Sequence, residues 1–380
     1  YLMNPNEWIK EFKIFLKTQN IWWEECDDQI IQPLRDKVDE ICKFEISTIE
    51  LDNVRHAVVV NIFEKVNTTG KPLDVFALMN NRLSVKGINL ARELLPETEL
   101  KYPKLKEYNK KMETEISRYL MECISLSFSS SKSCKKADIL DMYDKMQKEG
   151  DMTPDKFNEM WRSMSKFVNM AITKLEDTDN GFGVPSPTLL PYEPMLPVLA
   201  SLIQQIKENF SDYEHDSDKK IKKWYWSSVF NQRYSQGVEG RKTSDYKSMI
   251  EWFDDDEKIP KFITDFETKY HNIEFEEITK SRSAIYRGVM CLIKKKGASD
   301  LRIVYDESKK SHMDHIFPKS KIARPIKNSI LNMTWLTDIT NISKSNIMPK
   351  EYYSMICKKH FESDEIKLKT IDVSKNEEFR

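Results

Sequence analysis

Residues 311–318 read Ser-His-Met-Asp-His-Ile-Phe-Pro, which sets a carboxylate, Asp314, directly beside an imidazole, His315. That pair suits metal-assisted hydrolysis of a phosphodiester. The carboxylate helps to hold a cation that stabilises the leaving oxygen, and the neutral imidazole takes a proton from the attacking water. Adjacent strand residues point to opposite faces, so Asp314 and His315 can serve one target only if the strand ends in a turn there, and Pro318 is compatible with such an ending. A bare Asp-His pair is more often surface decoration than chemistry. Here it is followed in order by Asn332, Asn341 and Lys350, which together make a site pattern in a way that no one of them does alone.

The pattern suggests roles: His315 as general base, Asp314 and Asn341 as metal ligands, Asn332 as a brace for the loop or an orienter of the imidazole, and Lys350 as a candidate phosphate contact. Hard oxygen donors from Asp314 and the Asn341 amide suit Mg²⁺ or Mn²⁺ better than Zn²⁺, which prefers Cys and His. His312, two residues before Asp314 on the same strand face, either assists at the metal or faces solvent, and the solvent-facing role is the more ordinary one.

Charge points to the same end of the chain. The sequence of 380 residues sums to a formal charge of −1, yet residues 280–380 hold 21 Lys+Arg against 12 Asp+Glu, a balance of +9 that lies wholly within 280–327. Lys319, Lys321, Arg324 and Lys327 belong to this cluster, which suits contacts to nucleic-acid phosphates; each lysine taken singly would be an ordinary solvated group. The six cysteines, Cys26, Cys42, Cys123, Cys134, Cys291 and Cys357, include no C-x-x-C pair, which argues against a zinc ribbon or a disulfide framework. No long apolar stretch suggests a membrane span or a secretory leader, so a cytoplasmic location is expected.

The elements that must position these residues are mostly helical. Trp8, Phe12, Phe15 and Leu16 have helical spacing. Residues 44–51 alternate as a strand, and 54–66 return to helical spacing through Val58, Ile62 and Phe63. Gly70 and Pro72 predict a turn between helices. From about 89 to 297 the pattern is helical, with breaks at 127–133, 177–187 and 208–218, and the serine-rich stretch 125–133 reads as a polar linker or loop, a candidate for mobility. Beyond Gly297 two short apolar runs, 311–317 and 330–336, precede Pro349 and a final amphipathic helix through Tyr352, Tyr353 and Ile356. Trp224, Tyr225 and Trp226 read as helical core rather than as a stacking platform for bases. Arg233 and Tyr234 are balanced between a phosphate or base contact and a tie between helices.

Three segments in order resemble the GmrSD-type restriction proteins: Ile62-Phe-Glu-Lys-Val-Asn-Thr-Thr-Gly-Lys-Pro-Leu73, the stretch Trp224 to Ser235 with Asp245 downstream, and His315-Ile-Phe-Pro through Asn341 and Pro349-x-x-Tyr352. The resemblance implies an α+β, mostly α-helical chain in three parts. These are the end of a ParB/sulfiredoxin-like domain over 1–88, a helical region over 89–297, and a C-terminal HNH (His-Me finger) nuclease of ββα-metal fold over 298–380. It implies a DNA endonuclease acting as effector of a modification-dependent restriction or anti-phage system. Members of the family carry an early Asp-Gly-Gln-Gln-Arg motif associated with nucleotide use, and that string does not occur here. Either the chain is a fragment whose missing part lies before Tyr1 or it lacks that function, so no nucleotide-binding residue is assigned, although a nucleotide remains a candidate partner through the missing part. An oligomer is compatible with the sequence. The rival expectation is an inactive nucleic-acid clamp or regulator that uses the same basic fold without turnover.

Overall fold

The computed structural model describes residues 5–19, isolated positions between 32 and 58, and 74–352 apart from 151, 211–213, 270–272, 299–310 and 324–325. The chain divides into two compact units, Tyr1–Phe63 and Glu64–Arg380. The first contains helix α1, Pro5–Thr18, as the apolar spacing predicts, with Leu16 buried. The strand expected over 44–51, the helix over 54–66 and the turn near Gly70 lie almost wholly outside the described residues.

The second unit is mostly helical and carries one small sheet. Its described helices are α2 (Val75–Ser84), α3 (Leu95–Lys101), α4 (Pro103–Lys111), α5 (Ile116–Phe128), α6 (Lys136–Glu149), α7 (Pro154–Glu176), α8 (Leu196–Asn209), α9 (Glu214–Phe230), α10 (Val238–Asp254), α11 (Lys261–Lys269) and α12 (Ala284–Lys295). Strand β1 (Ser311–His315), strand β2 (Met333–Thr337) and helix α13 (Asp338–Lys344) follow. No described helix is long and apolar enough to cross a membrane.

Local chemistry starts these helices where they start. Asp74 accepts a hydrogen bond from the Ala77 N–H at 2.7 Å, and Thr153 caps α7 immediately before Pro154, whose fixed φ suits the first helical position. Along α7 the buried residues Phe157, Trp161, Met164, Val168, Ile172 and Leu175 recur at helical intervals and define its inner stripe. Helix α8 is buried on nearly every side, Ser201 and Gln204 included, which marks it as the centre of the bundle.

The serine-rich stretch is part helix and, from Ser129, part loop, as one of the expected alternatives has it, but it is not a fully solvated one. Ser125–Phe128 complete α5, and Ser125, Ser129 and Ser133 are buried, with the Ser125 hydroxyl donating to the Ser133 carbonyl at 2.6 Å. Small hydroxyl side chains that satisfy one another and the backbone can pass through a core, and composition alone does not register this. The break expected over 208–218 is also narrower, because α9 begins at Glu214.

Arg233 and Tyr234 tie helices together. Asp245 is fully buried and accepts from Arg233 at 2.5–3.0 Å, from the Tyr234 hydroxyl at 2.8 Å and from the Trp224 indole at 3.1 Å. Trp224 and Tyr225 are core residues. A buried carboxylate with this many charge-assisted donors has no capacity left for a ligand.

Helix α12 serves two cores. Cys291 belongs to the large helical core, whereas Tyr286 and Met290 join Ile330, Met333 and Trp335 beneath the sheet. At Gly288 a Cβ would stand 2.6 Å from Val229 Cγ1, so the missing side chain lets α12 approach α9 closely. The expected boundary near 298 therefore leaves on its helical side a helix that supplies much of the sheet's own core. Cys123, Cys134 and Cys291 are buried free thiols.

Candidate active site at the end of the two-stranded sheet

Strands β1 and β2 pair antiparallel, with Asp314 opposite Thr334 and His315 opposite Met333. The two strands fall on the two expected apolar runs, although β2 begins three residues later than its run does; the helix that follows at once, α13, was not expected, and of the helix expected beyond Pro349 only the turn over 349–352 lies within the described residues. Beyond His315 the Ile316 N–H donates to the Asn332 carbonyl at 2.8 Å, after which the chain bends through buried Pro318 into a 3-10 turn, Lys319–Lys321. Ending the strand here lets neighbouring residues of opposite strand parity turn toward one space. Asp314, His315, Lys319, Asn341, Lys344 and Asn346 line a single cavity of about 370 Å³.

The opposite wall is α13. Thr337 caps it, its hydroxyl accepting from the Thr340 N–H at 3.4 Å. Asn341 and Lys344 lie three residues apart and share one helix face, while Ile342 is exposed. The helix ends at Ser345, whose φ of +44° with ψ of −132° is a backbone conformation rarely taken by a residue with a side chain. Strain of this kind persists where surrounding structure enforces it, and it collects at functional sites.

Asn332 braces the loop from beneath. Its Oδ1 accepts from the Phe317 N–H at 2.7 Å, and its Nδ2 donates to the carbonyls of Phe317 and Lys327 at 3.1 and 3.2 Å. It does not line the cavity. The Tyr352 hydroxyl secures the same loop by donating to the Ile316 carbonyl at 3.1 Å.

The imidazole and carboxylate are electrostatically distinct. Burial pushes the His315 imidazole below its ordinary pKa, Lys319 and Lys344 reinforce this, and Asp314 offsets only part of it. Burial alone would raise the Asp314 carboxyl, but the His315 backbone N–H and then Lys344 outweigh it and hold the group below the usual carboxylate value. His315 is thus kept neutral while Asp314 is kept ionised. His315 Nδ1 lies 3.3 Å from Asp314 Oδ1, an arrangement that favours the tautomer with the proton on Nδ1 and a free Nε2 lone pair.

The other expected residues stand apart. Lys350 is exposed on the helical turn over 349–352 and does not line the cavity; Lys321 is exposed, Lys327 is half-buried, and Arg324 lies outside the described residues. His312 is 41% exposed, with Nδ1 3.4 Å from Asp338 Oδ1, and is not among the cavity residues. The residue that sequence reasoning missed is Lys344. Its ammonium donates to Asp314 Oδ2 at 3.1 Å and to the His315 carbonyl, and its side chain is only 3% exposed. The available signal was its spacing of one helical turn from Asn341.

Asp314 and Asn341 are oxygen donors that line the cavity. Among the described residues no group of three or more His, Cys, Asp and Glu side chains gathers as a metal cage. One carboxylate and one amide are the kind of sparse oxygen set that Mg²⁺ sites use, since that ion keeps several of its waters.

No family model matches the chain. The sequence is similar, at 25% identity over 369 residues, to an uncharacterized protein of Methanocaldococcus jannaschii, a match that covers 93% of this chain and 58% of that protein. The chain spans somewhat more than half the length of the relative it matches.

Proposed function

We propose that the protein is a metal-dependent DNA endonuclease whose site is the strand, strand, helix unit ending at Lys344, an HNH arrangement of the kind the GmrSD resemblance implies. The observation that carries the reading is the convergence of His315, Asp314 and Asn341 on one cavity beside Lys319. A Mg²⁺ or Mn²⁺ ion held by Asp314 and Asn341 would supply charge stabilisation at the leaving oxygen. His315, neutral and oriented through Nδ1, accepts the proton of the attacking water. Asn332 and Tyr352 hold the loop that presents His315, and Lys319 with Lys321 engages backbone phosphates without reading bases. In a cytoplasmic restriction or anti-phage effector, selectivity for modified DNA would then reside upstream of this unit.

One observation favours the rival clamp reading: Lys344 already balances the charge of Asp314. Plasmid nicking separates the two. The wild type is expected to nick with Mg²⁺ and not with EDTA, and His315→Ala to lose on the order of 100-fold or more in rate while DNA affinity stays nearly intact. If His315→Ala cuts at the wild-type rate, or loses binding and cutting equally, His315 is not the base and the clamp reading replaces this one.

A further inference from the structure

The charge of the site is unusual for one that takes a divalent cation. The ionisable groups lining the cavity are Asp314, His315, Lys319 and Lys344. With the imidazole neutral, two cations face one anion. Both oxygens of that anion are engaged: Oδ1 accepts from the His315 N–H at 2.7 Å and faces Nδ1 at 3.3 Å, and Oδ2 accepts from Lys344 at 3.1 Å. Lys344 is also held independently, because it donates to the His315 carbonyl and is buried in the wall formed by α13. Its ammonium therefore stands as a resident counter-ion on the carboxylate that a divalent ion must share.

Two cations that share one carboxylate oppose each other, and an incoming anion relieves that opposition. We propose, building on the nuclease reading, that Lys344 is a positioning residue that keeps divalent-ion affinity low in the absence of DNA and couples metal binding to arrival of a DNA phosphate. The phosphate brings the negative charge that the cavity lacks, so metal and DNA each tighten the binding of the other. The site thereby avoids holding a fully assembled hydrolytic centre while no substrate is bound.

The test is Mn²⁺ binding, read by the loss of free-ion electron paramagnetic resonance signal on titrating the full chain. A His315→Ala background prevents cutting, and titrations are run with and without a short DNA duplex. The duplex is expected to tighten Mn²⁺ binding. Lys344→Met should tighten Mn²⁺ binding without DNA by about tenfold or more, since it removes a like charge hydrogen-bonded at 3.1 Å to the carboxylate that would hold the ion, and should flatten the effect of the duplex. Lys344→Arg, which keeps the charge, should stay near the wild-type affinity. A purely structural lysine predicts the reverse for Lys344→Met, a weaker site. Unchanged or weakened Mn²⁺ affinity in folded Lys344→Met overturns the proposal. Should that variant fail to fold, absence of any duplex effect in the Lys344-containing protein overturns it equally. Absence of Mn²⁺ binding under every condition would instead sink the metal-dependent nuclease reading itself.

Discussion

The Asn332 side chain clasps the Phe317 backbone at both ends, accepting from its N–H at 2.7 Å and donating to its carbonyl at 3.1 Å. Phe317 lies two residues beyond His315, so this clasp fixes the exit of β1 and with it the direction of the imidazole. Asn332 itself is 1% exposed. A lost hydrogen bond at part-buried groups costs about 0.5–1.5 kcal/mol, so Asn332→Ala, which removes three of them, should lower stability by about 1–3 kcal/mol in urea unfolding. On the proposed nuclease reading, nicking by the protein that remains folded should fall as well, because the loop that presents His315 is no longer held. Unchanged stability would show that the clasp is not what orders the loop.

Acid should act on both titrating groups of the site in the same direction. The folded His315 takes up its proton only below its ordinary value of about 6.5. As pH falls below that value the unfolded chain binds the proton first, and stability declines. The Asp314 carboxyl, also depressed, contributes stability that is present above the ordinary carboxylate value and is lost as pH falls through its lower folded value. Since the base must be neutral, the rising limb of single-turnover cutting against pH should have its midpoint below about 6.5. A midpoint above 7 would contradict this assignment of the base.

Salt dependence should report the basic surface. The excess of +9 over residues 280–327 and the exposure of Lys319 and Lys321 predict that duplex binding weakens steeply as salt rises. Lys319→Glu or Lys321→Glu should lower affinity and reduce the log–log salt slope by about 1 or more. Binding that ignores salt would point to a protein partner in place of DNA.

The tie at Asp245 makes a contrasting prediction. Asp245→Ala strands the Arg233 guanidinium, which is 11% exposed, and deprives Trp224 and Tyr234 of their acceptor. Removing one partner of a buried pair costs about 3–5 kcal/mol, which should appear as a large drop in the urea midpoint. DNA affinity of the protein that stays folded should not change. A selective loss of DNA binding would return Arg233 to the phosphate-contact role.

Several features of this protein are determined by the sequence itself. The adjacency of Asp314 and His315, the strand-ending Pro318 and the helical spacing of Trp8 to Leu16 are local properties, so residue order was enough to read them. The helical character of 89–297 also follows from periodicity, because burying one stripe of a helix leaves its mark every three or four residues. What the tertiary structure decided is which residues meet. Lys344 was unremarkable as one of 60 Lys and Arg residues, and it became the partner of Asp314 only because α13 folds back over the end of β1. Helix α12 reads as one more amphipathic segment, yet its two faces belong to two different cores. Ser125 reads as solvent-seeking until its hydroxyl finds the Ser133 carbonyl inside. In each case the deciding energy comes from a partner distant in the chain, and a pattern along the chain records only that a face will be buried, not what will cover it.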